Sequence, residues 1–225
     1  MLNKVVFGSI WLAFSGYAFL LAPPDSADSL QLIINLSTGK WEGINPAIVA
    51  LFNLMGILPM VYACLMLIDG KTQKISAGIF RAASFAVGAF AILPYLALRT
   101  PSSTPFSASQ IERRGIIKLV DSRWLGVVLS IGTIVLLSYG ITQGNWSDFV
   151  QQWYSSRFIH VMSLDFCLLT LLLPTLINDD IERRNFSNPQ LVKVLSFVPL
   201  FGGLIYLCIR PNLSDFRSDS EPELA

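Results

Sequence analysis

Charge is scarce in this chain: Asp, Glu, Lys and Arg together make up 14% of its 225 residues. A soluble domain carries about 25%, so the shortfall excludes an ordinary water-facing surface. The 16 basic and 15 acidic residues nearly cancel, which excludes the basic face that nucleic acid requires. Histidine occurs once, as His160, so chemistry built on several imidazoles is excluded. The three cysteines, Cys64, Cys167 and Cys208, all sit inside apolar stretches, with no C-x-x-C or H-E-x-x-H spacing. They read as small buried hydrophobes rather than as a disulfide or metal site. No cofactor and no metal are expected.

What is abundant is apolar sequence, at 53%, and it comes in long runs. A helix needs about 20 apolar residues to cross a bilayer core. Six segments qualify, 5–21, 47–68, 75–98, 124–141, 158–177 and 191–209. Pro23-Pro24, Asp69-Gly70, Asn178-Asp179-Asp180 and Pro211 end runs, and Trp11, Trp41, Trp124, Trp146 and Trp153 are placed at or near interfaces. The expectation is an all-α polytopic membrane protein of six transmembrane helices. The first run has Lys4 ahead of it but no small-x-small cleavage pattern, and reads as a retained helix. Segments 26–36 and 146–153 are too short to span and carry apolar residues at helical spacing, so both read as helices lying on the membrane surface. The polar, acidic stretch 212–225 reads as disordered. With six spans, Lys and Arg divide nine against seven between the two sides. The cluster from Arg99 to Arg123 then puts both termini on the non-cytoplasmic side.

The chain also resembles itself. At an offset of about 112 residues, Trp11 meets Trp124, Trp41 meets Trp153, Asn53 meets Asp165, and Asp69 meets Asp180. Leu-Pro-Tyr-Leu-Ala-Leu-Arg, ending at Arg99, meets Leu-Ile-Tyr-Leu-Cys-Ile-Arg, ending at Arg210. Shared apolar composition explains matched leucines but not matched Trp, Asp, Tyr and Arg. The division expected is a first three-helix repeat over 1–110, a second over 111–211, and the tail. Three crossings per repeat would insert the second half upside down, the inverted plan of many transporters.

Polar groups inside spans are costly and are functional candidates for that reason. Asp165 lies seven residues into the fifth span, at a depth of about 10 Å, and needs a partner or a proton. Its counterpart Asn53 is of the same shape, and the two are expected to meet near the pseudo-twofold axis. Arg81 either snorkels to the surface or pairs with Asp165. His160 stands about 140° around the helix from Asp165 and reads as an interfacial histidine rather than a proton relay. Tyr62, Tyr95 and Tyr206 offer hydroxyls for a buried network.

The stretch Arg-Phe-Ile-His-Val-Met-Ser-Leu-Asp-Phe, the loop Asn-Asp-Asp-Ile-Glu-Arg-Arg and the run Leu-Ser-Phe-Val-Pro-Leu-Phe-Gly resemble the neoxanthin-synthesis membrane proteins of plastids and cyanobacteria. They equally resemble small three-helix bacterial membrane proteins of unknown function. His160, Asp165, Asp180 and Pro199 are the matching positions. Phe-Asn-Leu-Met-Gly-Ile-Leu-Pro, in the first half, resembles multi-pass proteins of cyanobacteria and plastids that have no assigned activity. The resemblance implies a photosynthetic organism, a thylakoid or plasma membrane, and as partners the bilayer and a photosynthetic complex or carotenoid. Three functions follow as expectations. One is a non-catalytic accessory protein in assembly or pigment handling. The second is a small carrier coupled through Asp165, and the third a carotenoid-modifying enzyme or its subunit.

Overall fold

The computed structural model describes residues 2–101, 116–184, 186 and 188–212, with side chains for all of these but 116–118. Residues 213–225 of the acidic tail and the pair Arg113-Arg114 lie outside the described residues. Among those described there is helix and no strand.

Four helices are long and apolar enough to cross a membrane. The first is α1 (Leu2–Gly16), continued by a π-helical turn over Tyr17–Leu21. The others are α3 (Pro46–Asp69), α7 (Arg123–Gln143) and α9 (Arg157–Arg183). Local sequence starts two of them cleanly. Asn45 accepts from the Ala47 N–H ahead of Pro46 at the first turn of α3, and Ser122 accepts from the Trp124 N–H at the start of α7; both satisfy N–H groups that no helical carbonyl reaches. The two short surface segments form α2 (Ser29–Ser37) and α8 (Trp146–Ser155), and a short α6 (Ile116–Asp121) leads into α7.

The expected third and sixth spans do not run through. Segment 75–98 is two helices, α4 (Ala77–Val87) and α5 (Ala89–Leu98), joined at Gly88 with φ 50° and ψ −123°. Gln73 and Thr100 then close the base, with Gln73 Oε1 accepting from the Thr100 N–H at 2.7 Å and Gln73 Nε2 donating to the Thr100 carbonyl at 2.9 Å. The pair is a hairpin that enters and leaves at the same end. Segment 191–209 behaves likewise: α10 (Pro189–Ser196) and α11 (Phe201–Ile209) flank a turn in which Leu200 adopts φ 63°. Its base is tied where Arg184 donates to the Pro211 carbonyl at 2.5 Å. Arms of this length reach about 12–17 Å at 1.5 Å per residue, half of a hydrocarbon core of about 30 Å. Six expected spans are therefore four long helices and two hairpins that dip in and return.

This places both hairpin bases, the ends of α3 and α9 and the start of α7 together at one end of the molecule. At the far end Asn45 donates to the Asn145 carbonyl and to Asp148, each at 2.7 Å, and Arg157 donates to the Pro23 carbonyl at 3.0 Å. The near-even split of basic residues disappears with the six-span arrangement. Lys4, Lys71, Lys74, Arg81, Arg99, Arg123, Arg183, Arg184, Lys193 and Arg210 belong to the first end, against Lys40 and Arg157 at the far end.

Helices α3 and α9 pack together at the centre, burying Leu58, Leu65, Leu169, Leu173 and Ile177. Helix α7 lies along α3, so close that a Cβ on Gly140 would stand 2.7 Å from the Ala50 Cβ. Helix α1 instead lies along α5, where the Trp11 indole donates to the Phe90 carbonyl at 3.1 Å. Trp11 thus sits in mid-helix, whereas Trp124 is in the first turn of α7 and 76% exposed. The two do not occupy equivalent places, despite their alignment in the sequence.

Candidate functional site

At the charged end the hairpins are held by two ion networks that meet on the last turns of α9, where four side chains alternate between them. Asp69, at the end of α3, accepts from the Tyr95 hydroxyl, from Arg99 at 3.0 Å and from Arg183 at 2.5 Å. Arg99 also pairs with Asp179. Beside it, Asp180 accepts from the Tyr206 hydroxyl at 2.6 Å and from Arg184 at 2.9 Å, and Arg184 reaches Asp121 at 3.0 Å. Arg210 donates to the Val120 carbonyl. Arg184 and Arg210 are both 0% exposed. Burial alone would lower the pKa of the Arg184 guanidinium; the carboxylates of Asp180 and Asp121 more than reverse this and raise it above its ordinary value. Four carboxylates and four guanidinium groups balance in charge here, and three of the arginines, Arg99, Arg183 and Arg184, pair directly with carboxylates, the condition under which charge is tolerated away from water.

The other feature is a cavity of about 610 Å³. Its walls come from the end of α1, from α2, α3, the hairpin apex and the first half of α9, with Asp25 and Arg157 towards the far end and Gly88 and Asp165 deep inside. Asp165 is 6% exposed. Its Oδ1 accepts from the Ala89 N–H at 2.6 Å, so it caps the first turn of α5 from a neighbouring helix. A Cβ on Gly88 would stand 1.8 Å from Asp165 Oδ2; only glycine allows this approach. Eight residues separate Asp165 from the start of α9, a depth of about 12 Å.

The other residues singled out in the sequence fall in different places. Asn53 does not meet Asp165; it donates to the Val49 carbonyl of its own helix at 2.8 Å. Arg81, partly exposed on α4, makes no ion pair with Asp165. His160 is buried, in the first turn of α9. Its Nδ1 lies 2.9 Å from the Trp153 carbonyl, which can only accept, so Nδ1 carries the proton and Nε2 accepts from the Tyr17 hydroxyl at 2.7 Å. That contact joins the turn after α1 to α9, with the Trp153 ring centroid 4.0 Å from that of the imidazole. Tyr95 and Tyr206 do enter buried networks, on Asp69 and Asp180. Tyr62 donates to the Leu169 carbonyl at 2.6 Å, between the central helices.

Compared with known protein families, with characterised proteins and with solved structures, the chain matches none. Its function must therefore be read from the cavity and the networks. Sequence reasoning missed Asp69, Arg99, Asp121, Asp179, Asp180, Arg183, Arg184 and Arg210 as a group, because Asp69, Asp179 and Asp180 read as stops to apolar runs and the arginines only as charges that set orientation. The signal was there. An aspartate, then a tyrosine 26 residues on, then an arginine four further, occurs in both halves.

Proposed function

We propose that this is a non-catalytic integral membrane accessory protein whose working part is the cavity beside Asp165, where it holds a lipophilic ligand. The single observation that carries the reading is the cavity itself: a largely apolar space of small-molecule size with one buried carboxylate at its inner end. The likeness to cyanobacterial and plastid proteins would place it in a photosynthetic membrane, with a role in assembly or pigment handling. A deletion strain analysed for pigments and on native gels tests this. The proposal expects altered pigment or complex profiles together with a lipophile that co-purifies with the wild-type protein. A deletion with unchanged profiles, and a purified protein carrying no such molecule, would defeat it. The carotenoid-modifying alternative rests on the likeness alone.

We further infer that the halves are duplicated in parallel rather than inverted. The support is the repeated Asp, Tyr and Arg spacing, together with hairpins that both enter from the charged end. Two crossings per half leave the second half upright. In such a pair α1 corresponds to α7 and α3 to α9, and the cavity occupies the place on α9 that α7 fills on α3.

The crowding of basic residues at the charged end argues that this end, with Leu2 and Asn212, faces the cytoplasm, the reverse of the six-span orientation. A reporter fused after Asn212 should then be active only as a cytoplasmic fluorescent protein, and one inserted at Lys40 only as an exported phosphatase. The opposite pattern would overturn the orientation.

One observation favours the carrier as a second reading. The cavity reaches from Asp165 to Asp25 and Arg157 at the far end, and the ion networks lie across the other end, as they would in one state of an alternating-access protein. Flux in reconstituted vesicles that Asp165→Asn abolishes, at unchanged abundance, would decide for it.

A further inference from the structure

We infer that the cavity takes a lipophilic organic cation, its charged centre held between the Asp165 carboxylate and the phenylalanine rings of the cavity wall. The inference rests on reading this cavity as a lipophile site, and narrows that reading to one chemical class.

Asp165 Oδ1 is satisfied by the Ala89 N–H, while Oδ2 has no donor among the described residues. The residue lines the cavity although it is 94% buried. Little positive charge answers it. Arg81 forms no ion pair with it, and Arg157 lies about 12 Å away along the same helix, its Nε engaged by the Pro23 carbonyl. Asp25 lines the cavity as well and adds a charge of opposite sign to that of Arg157. What remains is the N-terminus of α5, worth about half a unit charge. About half of the carboxylate's charge is thus unanswered, in surroundings that are mostly apolar.

The wall supplies the rest of a cation site. Phe19, Phe52, Phe85, Phe90 and Phe158 all line the cavity, and the face of an aromatic ring attracts a cation that has shed its water. An anion would be repelled by the Asp165 carboxylate, and a neutral hydrocarbon would leave it buried without a partner or make it take up a proton. A quaternary ammonium or phosphonium centre within an apolar body satisfies both the carboxylate and the rings, and its diffuse charge makes it cheap to desolvate. The site would distinguish such a molecule from a neutral pigment by charge.

The test uses the purified full chain in lipid nanodiscs and three probes. Tetraphenylphosphonium and tetraphenylborate have one shape and opposite charge, and N-phenyl-1-naphthylamine is neutral. Saturable phosphonium binding about ten-fold or more tighter than borate is expected, on the scale of one desolvated cation contact. Asp165→Asn should remove that preference while leaving the naphthylamine bound. Phe85→Leu should weaken phosphonium several-fold and spare the neutral probe; it keeps the test decisive if Asp165→Asn does not fold. Equal binding of the two ions, or phosphonium affinity unchanged in both variants, overturns the cation class while a saturable neutral probe leaves the lipophile site standing. No saturable binding by any probe overturns both.

Discussion

Arg184→Met should cost about 3–5 kcal/mol of stability, the range found when one partner of a buried ion pair is removed. The substitution keeps the apolar stem of the side chain and removes the guanidinium, its charge and its hydrogen bonds together. It would leave Asp180 and Asp121 as buried anions and strip the Pro211 carbonyl of its donor at the base of the second hairpin. Equilibrium unfolding in mixed micelles, followed by tryptophan fluorescence, reads the loss directly. Adding Asp180→Asn should recover part of it, because the amide oxygen can still accept from the Tyr206 hydroxyl without bringing a charge. Arg184→Met within about 1 kcal/mol of wild type would mean that the network is solvated and contributes no more than a surface pair.

Gly88→Ala is the second large effect. The residue has a positive φ that costs other amino acids about 1–3 kcal/mol, and its new Cβ would overlap Asp165 Oδ2 at 1.8 Å. The apex would have to move away from α9, breaking the bond from the Ala89 N–H to Asp165. Together these should destabilise the protein by about 2 kcal/mol or more and disturb the cavity. Two causes are separable here. Asp165→Ala in the same chain removes the clash but not the backbone strain, so the double variant should be more stable than Gly88→Ala alone. If adding Asp165→Ala makes Gly88→Ala worse, the apex does not rest on that carboxylate.

Much of the fold was legible because burial in lipid leaves a coarse signature. Runs of the length in α3 and α9 have few alternatives, and the short amphipathic α2 and α8 could not be mistaken for spans. The hairpins were hidden for the same reason. A run such as 75–98 has identical hydropathy whether it crosses once or enters and returns, and the residues that decide, Gly88 and Leu200, are apolar or small. What distinguishes the two cases is charge. A crossing helix would have carried Tyr95 and Arg99 to the opposite side from Asp69, whereas a hairpin brings them back to it. The repeated spacing of Asp, Tyr and Arg held that information, but it becomes a contact only once the chain is known to turn. Asp165 stood out in the sequence because a carboxylate in an apolar run has few innocent explanations. Its real partner, a backbone N–H freed by the break at Gly88, could not be foreseen without that break.

The cross-links between the halves bear on how the protein is made. Arg99 pairs with Asp179 and Asp69 with Arg183, partners 80 and 114 residues further along the chain. At about 5–20 residues per second, the first hairpin must wait roughly 4–20 s in the membrane before those partners are synthesised. During that interval one carboxylate and one guanidinium have only each other and Tyr95. The first half alone is thus an orphan, exposed to membrane quality control until the last turns of α9 arrive. A chain stalled or truncated before residue 179 would be a degradation substrate rather than a half-sized version of the protein.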